Sequence, residues 1–327
     1  MLAGKGDSEV FCDLGSGYTS PEQKYVMDTN TVLDVASTTK MAAVITSLLI
    51  LHFRGRIDFN APFTEYLTDF TAPLYEPVTI RDLANHLSGF GYVIGQKQHP
   101  YFDESGTQIL KNMLTVPPPH PPTCHAHYAC WNYILLTLIV ERVAGETLIS
   151  FCDREIFRPL DMDCTSLGKP RPEIPPERLG QTLTTNHPGE ISDHTAMQIY
   201  RDGGCTGNAG LFTCAKDFAK LLKCYLRGGQ SAHGQRLFGE TEMAEILPDR
   251  KKYFDGYRKF GWVICENFLA KEMFGSVLFH SGWSGQTILF DLNRNMYGIV
   301  LTTRFGDYDR AKKDRFEILH QVWKMIK

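Results

Sequence analysis

The stretch Val35-Ala36-Ser37-Thr38-Thr39-Lys40-Met41, followed by the apolar run at residues 42–51, decides the fold. The small and hydroxylated residues predict a helix start near Ser37, and the apolar run predicts a helix over residues 37–53 that is buried on most of its faces. Lys40 is three positions after Ser37 and shares its helix face. The S-x-x-K spacing therefore places an amine beside a hydroxyl, close to the core.

This pairing matters because serine alone is a poor nucleophile at neutral pH. A buried amine whose charged form is disfavoured by desolvation can take the serine proton. The start of a helix adds a backbone N–H and a positive dipole end near the reacting oxygen. Taken alone, however, S-x-x-K also fits a helix cap followed by a solvated lysine, so the pattern needs support from elsewhere in the chain.

Further segments accompany the S-x-x-K motif. They are Tyr128-Ala129-Cys130, Gly207-Asn208-Ala209-Gly210-Leu211-Phe212, and His280-Ser281-Gly282-Trp283-Ser284-Gly285 at the end of a predicted strand. Each has a plain structural explanation by itself: a buried tyrosine, glycines in a tight turn, a strand-end histidine. Their occurrence together and in this order favours a shared active site.

At these residues, and at residues 78–89, the chain resembles the serine β-lactamase and penicillin-binding-protein superfamily. Its class C β-lactamases, D-alanyl carboxypeptidases and related esterases are the most similar branch, and the resemblance runs from about residue 9 to residue 303. It implies that Ser37 is the acylated nucleophile and Lys40 its amine partner. It also implies that Tyr128 shuttles a proton to the leaving group, and that His280 replaces the lysine of the K-[ST]-G strand.

The same resemblance implies the substrate-binding residues. Ser281 and the neighbouring Gly282 would border the substrate's polar tail, and the backbone N–H groups of Ser37 and Trp283 would form the oxyanion hole. Cys130 occupies the position where the family usually has asparagine. A thiol lacks the donor and acceptor pair of an amide, so an ester, or a peptide held in another way, is easier to accept here than a β-lactam or acyl-peptide bound through that contact.

The predicted fold class is α+β of the β-lactamase and transpeptidase type. Strand-like patterns at both chain ends predict one antiparallel sheet flanked by helices, with a mainly helical lobe inserted between them. We expect one catalytic unit over residues 1–327, with a sheet lobe from residues 1–62 and 230–327 and a helical, loop-rich insert from residues 63–229.

The pattern along the chain gives the individual elements. Helices are expected at residues 107–116, 134–144, 147–157 and 215–226, and strands at 260–265, 277–280, 286–290 and 297–302. The proline-rich residues 116–122 predict an extended surface segment, and residues 168–208 predict long loops. A final helix is expected to present one apolar face, formed by Phe316, Leu319, Val322, Trp323 and Ile326.

Composition restricts the class of protein. The chain has 327 residues, 43% hydrophobic and 22% charged, with a net charge of −3. This charge gives no electrostatic reason to expect a nucleic acid or an anionic membrane as partner, and no apolar run reaches transmembrane length. Nine scattered cysteines and an N-terminus without a signal-peptide core favour the cytoplasm, with export through a signal upstream of this chain left open.

The segment Cys124-His125-Ala126-His127-Tyr128-Ala129-Cys130 offers an alternative zinc site. Its spacing is not that of a common zinc finger, and His125 and His127 would point to opposite sides of an extended chain. We therefore expect no metal and no cofactor, and interpret the segment as a polar loop at the entrance of the cleft. Asp193 is expected to anchor a loop.

Two hypotheses follow. In the first, the protein is a serine hydrolase that forms an acyl-enzyme on a small-molecule ester or a D-amino-acid peptide. A carboxylesterase or a D-alanyl carboxypeptidase is favoured over an efficient β-lactamase. In the second, a catalytically weak relative binds a peptidoglycan fragment or a protein partner in the same cleft. The oligomeric state is left open.

Overall fold

The structure, a computed structural model, describes residues 1–70, 75–90, 104–115, 118–122, 125–247, 258–264, 273 and 276–325. The strands are β1 Leu2–Lys5, β2 Glu9–Asp13, β3 Leu33–Asp34, β4 Ser166–Leu167, β5 Leu211–Thr213, β6 Arg258–Lys259, β7 Trp262–Val263, β8 Val277–Ser281, β9 Gln286–Asp291 and β10 Met296–Leu301. The helices are α1 Thr46–Phe53, α2 Ile80–Ala84, α3 Gly106–Thr115, α4 Cys130–Ala144, α5 Leu148–Cys152, α6 His194–Arg201, α7 Ala215–Leu226, α8 Glu240–Ile246 and α9 Tyr308–Met325.

The main sheet joins the two ends of the chain. Its seven strands lie in the order β2-β1-β10-β9-β8-β7-β6, and all neighbouring pairs are antiparallel. The joint is the pairing of β1 with β10, in which Leu2 lies opposite Ile299. This confirms the predicted α+β class and the origin of the sheet in both chain ends.

The central strands β8, β9 and β10 are buried on both faces of this sheet, and their successive side chains point to opposite sides. In β8, Leu278 packs into the main core with the central helices, while its neighbours Val277 and Phe279 pack into a second cluster under α9. The predicted apolar face of α9 is confirmed for Phe316, Leu319, Val322 and Trp323. Ile326 lies outside the described residues.

The central helical segment runs from Ala36 to Phe53 and begins irregularly. A 3₁₀ turn spans Ala36–Thr38, a π-helical stretch spans Lys40–Ile45, and α1 completes the segment. Its 18 residues are long and apolar enough to cross a membrane, contrary to the sequence expectation. However, 83% of the segment is buried inside the protein, which is typical of a core helix.

The region predicted as long loops contains additional structure. Helix α6 lies within residues 168–208, so that part of the prediction is wrong. It is only eight residues long and is capped by Asp193, whose carboxylate accepts a hydrogen bond from Ala196 N–H at 2.8 Å. A small second sheet, in the order β3-β5-β4, was also not predicted, because its strands have only two or three residues. This sheet leads directly into the turn that carries Ser37.

Several sequence interpretations fall on chain that the structure does not describe. These are parts of the 116–122 and 260–265 segments, and Cys124 of the alternative zinc cluster.

Candidate active site

The turn before Ser37 holds a strained conformation. Ala36 has a φ of 44°, in the left-handed region that residues with a Cβ rarely adopt. The buried Asp34 carboxylate secures this turn: one oxygen accepts from Ala36 N–H at 3.2 Å and the other from Ser192 N–H at 2.8 Å. Burial raises the pKa of Asp34 from 3.8 to about 6, although both hydrogen bonds oppose the shift. The turn leaves Ser37 only partly buried at the start of the helix.

Ser37 Oγ is the meeting point of two polar groups. Lys40 Nζ and Tyr128 Oη each lie 3.0 Å from it, so the structure brings together three of the predicted residues. Lys40 is fully buried, and its Nζ also donates to the Asn208 carbonyl oxygen at 2.7 Å. The amine is thus fixed between the candidate nucleophile and a backbone carbonyl.

The charge state of Lys40 differs from the expectation. Burial lowers the pKa of this amine, but the negative charges that Cys130, Tyr128 and Asp193 can carry raise it by more in sum, so that its pKa lies above the ordinary value. Lys40 is therefore an ammonium group at neutral pH. Desolvation, which was expected from the sequence to disfavour this form, is outweighed, and Nζ donates to the candidate nucleophile and to the Asn208 carbonyl oxygen.

Tyr128 lies in a frame of aromatic and cationic side chains. Lys40 Nζ and the Arg258 guanidinium lie 5.2 Å and 5.3 Å from the centre of its ring, within cation–π distance. The His86 ring packs against it at 4.5 Å. His86 is itself fixed, since its Nδ1 accepts from Ala129 N–H at 3.2 Å and contacts Asn132 Nδ2 at 3.0 Å. His86 lies within residues 78–89, which carry part of the resemblance, but no role was assigned to it from the sequence, and Arg258 lies outside all the motif segments.

Cys130 lies beside the ammonium group, in the position that the resemblance assigns to asparagine. Its sulfur is 3.9 Å from Lys40 Nζ and is buried. Burial raises the pKa of the Cys130 thiol, and the neighbouring Lys40 offsets only part of that effect. Cys130 is therefore a neutral thiol at neutral pH, which makes it a poor nucleophile and a weak hydrogen-bond donor.

The loop before β5 supplies the carbonyl that holds Lys40. Gly207 allows this loop to lie against the helix, because a Cβ at this position would lie 2.0 Å from Val44 Cγ2. Its N–H donates to Thr137 Oγ1 at 2.8 Å. Asn208 then presents its carbonyl oxygen to Lys40 and its amide to Asp193 at 3.3 Å. The sequence placed this segment near the predicted active site but did not predict the carbonyl contact, since a backbone carbonyl leaves no residue signature.

The end of β8 forms the opposite wall and packs against the turn at Ala36–Thr38. His280 is buried there, and its Nδ1 contacts the Ser281 carbonyl oxygen at 3.1 Å. Burial, together with the charges of Arg258 and Lys40, holds the pKa of His280 well below its usual value. His280 is therefore neutral, and its Nε2 has no hydrogen-bond partner among the described residues.

The three residues after His280 follow the same wall. Gly282 lies so close to the turn that a Cβ there would lie 2.8 Å from the Val35 carbonyl oxygen. Ser281 is partly exposed at the strand end, and Trp283 is 38% exposed with the Arg304 guanidinium 4.9 Å above its ring. All four predicted residues of this strand end thus lie on one edge of the Ser37 turn.

The alternative zinc cluster receives little support. Cys130 Sγ lies next to the Lys40 ammonium, which would repel a metal cation. The His127 ring stacks on the His120 ring at 3.9 Å, outside the predicted cluster. Within the described ranges, the side chains close enough together to share an ion are instead Cys164, Cys214 and Asp217.

Comparisons with solved structures show what kind of fold this is. A class C β-lactamase from Rhodobacter sphaeroides matches with a TM-score of 0.72 and 17% identity, over 98% of this chain and 93% of that one. EstCE1, described as a hydrolase with promiscuous acyltransferase activity, matches with a TM-score of 0.72 and 18% identity, over 98% and 92% of the two chains. The fold is therefore that of β-lactamases and penicillin-binding proteins.

Sequence comparison then gives the family. The beta-lactamase family profile matches residues 3–322, and the chain belongs to this family, which is one of serine hydrolases. A protein of Escherichia coli O157:H7, provisionally named a D-alanyl-D-alanine carboxypeptidase, is 27% identical over 311 residues, which cover 84% of this chain and 70% of that protein. The predicted resemblance is confirmed.

Proposed function

We propose that the protein is a serine hydrolase that forms an acyl-enzyme on Ser37 and prefers neutral esters to β-lactams and amides. The observation that carries this proposal is the convergence of Lys40 Nζ and Tyr128 Oη on Ser37 Oγ, each at 3.0 Å. Two proton-carrying groups that donate to the nucleophile oxygen give the proton relay that acyl transfer requires.

The charge state of Lys40 assigns the proton-transfer roles. An ammonium group cannot accept the Ser37 proton, so Tyr128 is the group in contact that exchanges it. Lys40 supplies the positive charge that stabilises the proton-poor form of this pair. In this step Tyr128 acts as a phenolate, which the Lys40 ammonium stabilises: it takes the proton as Ser37 Oγ attacks the substrate carbonyl carbon, becomes the phenol that donates to Ser37 Oγ in the structure, and then passes the proton to the leaving oxygen. Water reverses the sequence and releases the acid.

The negatively charged oxygen that forms on the substrate carbonyl would be stabilised by two backbone N–H groups, one at the Ser37 turn and one just after β8. The Ser37 N–H lies at the helix start, and the Trp283 N–H follows Gly282 on the edge of the same turn. Two donors that converge on the developing negative charge are worth roughly 3 kcal/mol each in comparable enzymes. The close approach of Gly282 to Val35 is what allows both walls to contribute.

Two features of the site favour an ester. Cys130 offers no amide to bind the acyl-amide group of a peptide or β-lactam. His280 is neutral, so it gives no positive charge to a substrate carboxylate. A second candidate, carboxypeptidase activity, is favoured by Arg258, whose guanidinium lies beside Tyr128 and could bind a terminal carboxylate.

A parallel substrate screen tests the proposal. Short-chain p-nitrophenyl esters, nitrocefin and N-acyl-D-Ala-D-Ala peptides are offered to the wild-type protein and to Ser37→Ala. We expect ester turnover in the wild type, with a loss of at least about 1,000-fold in Ser37→Ala. A fluorophosphonate should add one adduct, at Ser37. A folded protein that takes up no label and turns over no substrate would contradict the proposal and favour the binding-module hypothesis.

A further inference from the structure

Two cysteines face each other just beyond the small sheet. Strands β4 and β5 are antiparallel, with Ser166 opposite Phe212. The same register, continued by two positions, places Cys164 opposite Cys214. Residues directly opposite each other in antiparallel strands have Cα atoms about 4.5–5.5 Å apart. This separation falls within the range that a disulfide bond spans.

Side-chain contacts show that the register holds up to the cysteines. The Thr165 and Thr213 hydroxyls, one step closer to the strands, are 2.6 Å apart. The Cys164 and Cys214 sulfurs and a carboxylate oxygen of Asp217 all lie within 4.8 Å of one another. Both thiols are free. The sulfurs are thus close enough for a disulfide bond to form by movement of the two side chains.

The surroundings make the two sulfurs chemically different. Arg178 Nη2 lies 3.2 Å from Cys164 Sγ. A hydrogen bond from Cys214, together with Arg178, lowers the pKa of the Cys164 thiol, whereas that hydrogen bond and burial raise the pKa of Cys214. Cys164 is also partly exposed and Cys214 is buried. Cys164 is therefore an accessible thiolate, and Cys214 is a protonated thiol next to it.

The same surroundings disfavour a metal ion. The Arg178 guanidinium lies beside Cys164, and its positive charge would repel a metal cation there. Asp217 already accepts hydrogen bonds from Cys164 N–H at 2.8 Å and Thr165 Oγ1 at 2.9 Å, and it pairs with Lys220 Nζ at 3.0 Å. A metal would have to displace all these contacts.

We propose that Cys164 and Cys214 are a redox-active dithiol that peroxides convert to a reversible disulfide. The Cys164 thiolate attacks one peroxide oxygen, the O–O bond breaks, and the sulfur is oxidised to sulfenic acid while hydroxide leaves. The Cys214 sulfur then attacks the Cys164 sulfur, the S–O bond breaks, and the Cys214 proton leaves with the hydroxyl group as water. In sum, two thiols and one hydrogen peroxide give one disulfide and two waters.

The position of this pair gives the disulfide a structural effect. The bridge would close the loop over residues 165–213, which contains Asn208 and its carbonyl contact to Lys40. It would also attach β5, the partner of β3 before the Ser37 turn, to β4. Closing a loop of this size should raise the midpoint of thermal unfolding by about 5 °C.

Peptide mapping tests the proposal without relying on hydrolase activity. The full-length protein is reduced, freed of reductant, treated with hydrogen peroxide, alkylated with N-ethylmaleimide and digested without reduction. We expect the Cys164 peptide to be cross-linked to the Cys214 peptide, and dithiothreitol to reverse the link. Cys205 shares a tryptic peptide with Cys214, so fragment ions must assign the bridge.

Matched variants complete the test. Cys164→Ser and Cys214→Ser should each abolish the cross-link, whereas Cys205→Ser should retain it. Arg178→Gln should slow alkylation of Cys164 at pH 7 by about tenfold, because the thiolate loses its charge partner. Arg171→Gln, a nearby arginine bonded to the Thr165 carbonyl oxygen, serves as the control and should not slow it.

Two results would overturn the proposal. One is a peroxide-treated protein in which Cys214 stays fully alkylatable, whether Cys164 is unmodified or over-oxidised. The other is stoichiometric zinc in the protein that blocks alkylation and is lost in Cys164→Ser, which would identify the cluster as a metal site instead.

Discussion

The two walls of the candidate active site differ in how completely their polar groups are bonded. On the nucleophile wall, Ser37, Lys40 and Tyr128 are linked to one another, and Lys40 also bonds to a backbone carbonyl. On the β8 wall, His280 is neutral with an unpartnered Nε2 within the described chain, and Trp283 is 38% exposed. If the proposed function holds, the groups that transfer the proton are already in contact before substrate arrives, whereas the polar groups of the β8 wall gain partners only from the substrate.

The largest expected effect on this comparison comes from Lys40→Met, which roughly keeps the length of the side chain and removes its charge. We expect ester kcat to fall by about 1,000-fold, because the proton-poor form of the Ser37–Tyr128 pair loses its stabilising ammonium. The measurement is kcat and KM on a p-nitrophenyl ester, with KM changing little.

The matched control is Ser281→Ala on the β8 wall, which should change KM more than kcat. Wild-type turnover in Lys40→Met would show that the amine has no role in proton transfer.

The pH dependence of folding tests how the nucleophile wall is supported. The pKa of Asp34 is raised to about 6 in the folded protein, so between pH 4 and pH 6 the folded state binds more protons than the unfolded state. Its contribution to the free energy of unfolding should therefore fall by about 2 kcal/mol as pH rises through this window. Urea unfolding at pH 4 and pH 7 measures the change.

Asp34→Asn isolates this contribution. The variant loses one hydrogen bond at every pH, but the stability difference from wild type should change by about 2 kcal/mol across the window. A difference that is independent of pH would show that Asp34 titrates normally.

A test with a smaller expected effect changes Cys130, the position that we expect to select the acyl group. Cys130→Asn restores the amide that the family usually has, so we expect the ratio of amide or β-lactam turnover to ester turnover to rise by about tenfold. Cys130→Ser is the control, since it is polar but offers no amide, and it should leave the ratio unchanged. An unchanged ratio in Cys130→Asn would show that this position does not select the acyl group.

The smallest expected effect concerns His280. His280→Lys introduces a positive charge on the β8 wall and should raise the preference for carboxylate-bearing over neutral substrates several-fold. His280→Gln keeps the side chain neutral and should preserve both the preference and ester turnover. A loss of ester turnover in His280→Gln as large as that in Lys40→Met would show that His280 takes part in proton transfer. The two walls would then no longer differ in their roles.

The sequence predicted the elements whose signals are local and strong. The helix after Ser37, the α9 face and the joining of the two chain ends in one sheet follow from apolar periodicity and from the motif order. The small sheet and α6 were missed because such short elements depend on tertiary contacts, such as the Asp34 carboxylate bonded to Ser192 N–H, rather than on propensity.

For the site, the motifs predicted which side chains approach Ser37 but not their environment. The Asn208 carbonyl, the His86 and Arg258 frame around Tyr128 and the direction of the Lys40 pKa shift all arise from chain segments far apart in sequence. The π-helical stretch at Lys40–Ile45 was equally hidden, although such irregularities are frequent at functional sites. These properties depend on burial and on neighbouring charges, which only the folded chain defines.

The left-handed turn at Ala36 has a consequence for inactivation. Such a conformation costs about 1–3 kcal/mol for a residue with a Cβ, and the surrounding chain must supply that energy continuously. We therefore expect mild denaturant to loosen the Asp34 contacts and release the turn first, which would separate Ser37 from its partners while the sheet is still intact. Hydrolysis should therefore cease at a lower urea concentration than the loss of the far-ultraviolet circular dichroism signal, and coincident curves would show that the turn and the sheet unfold together.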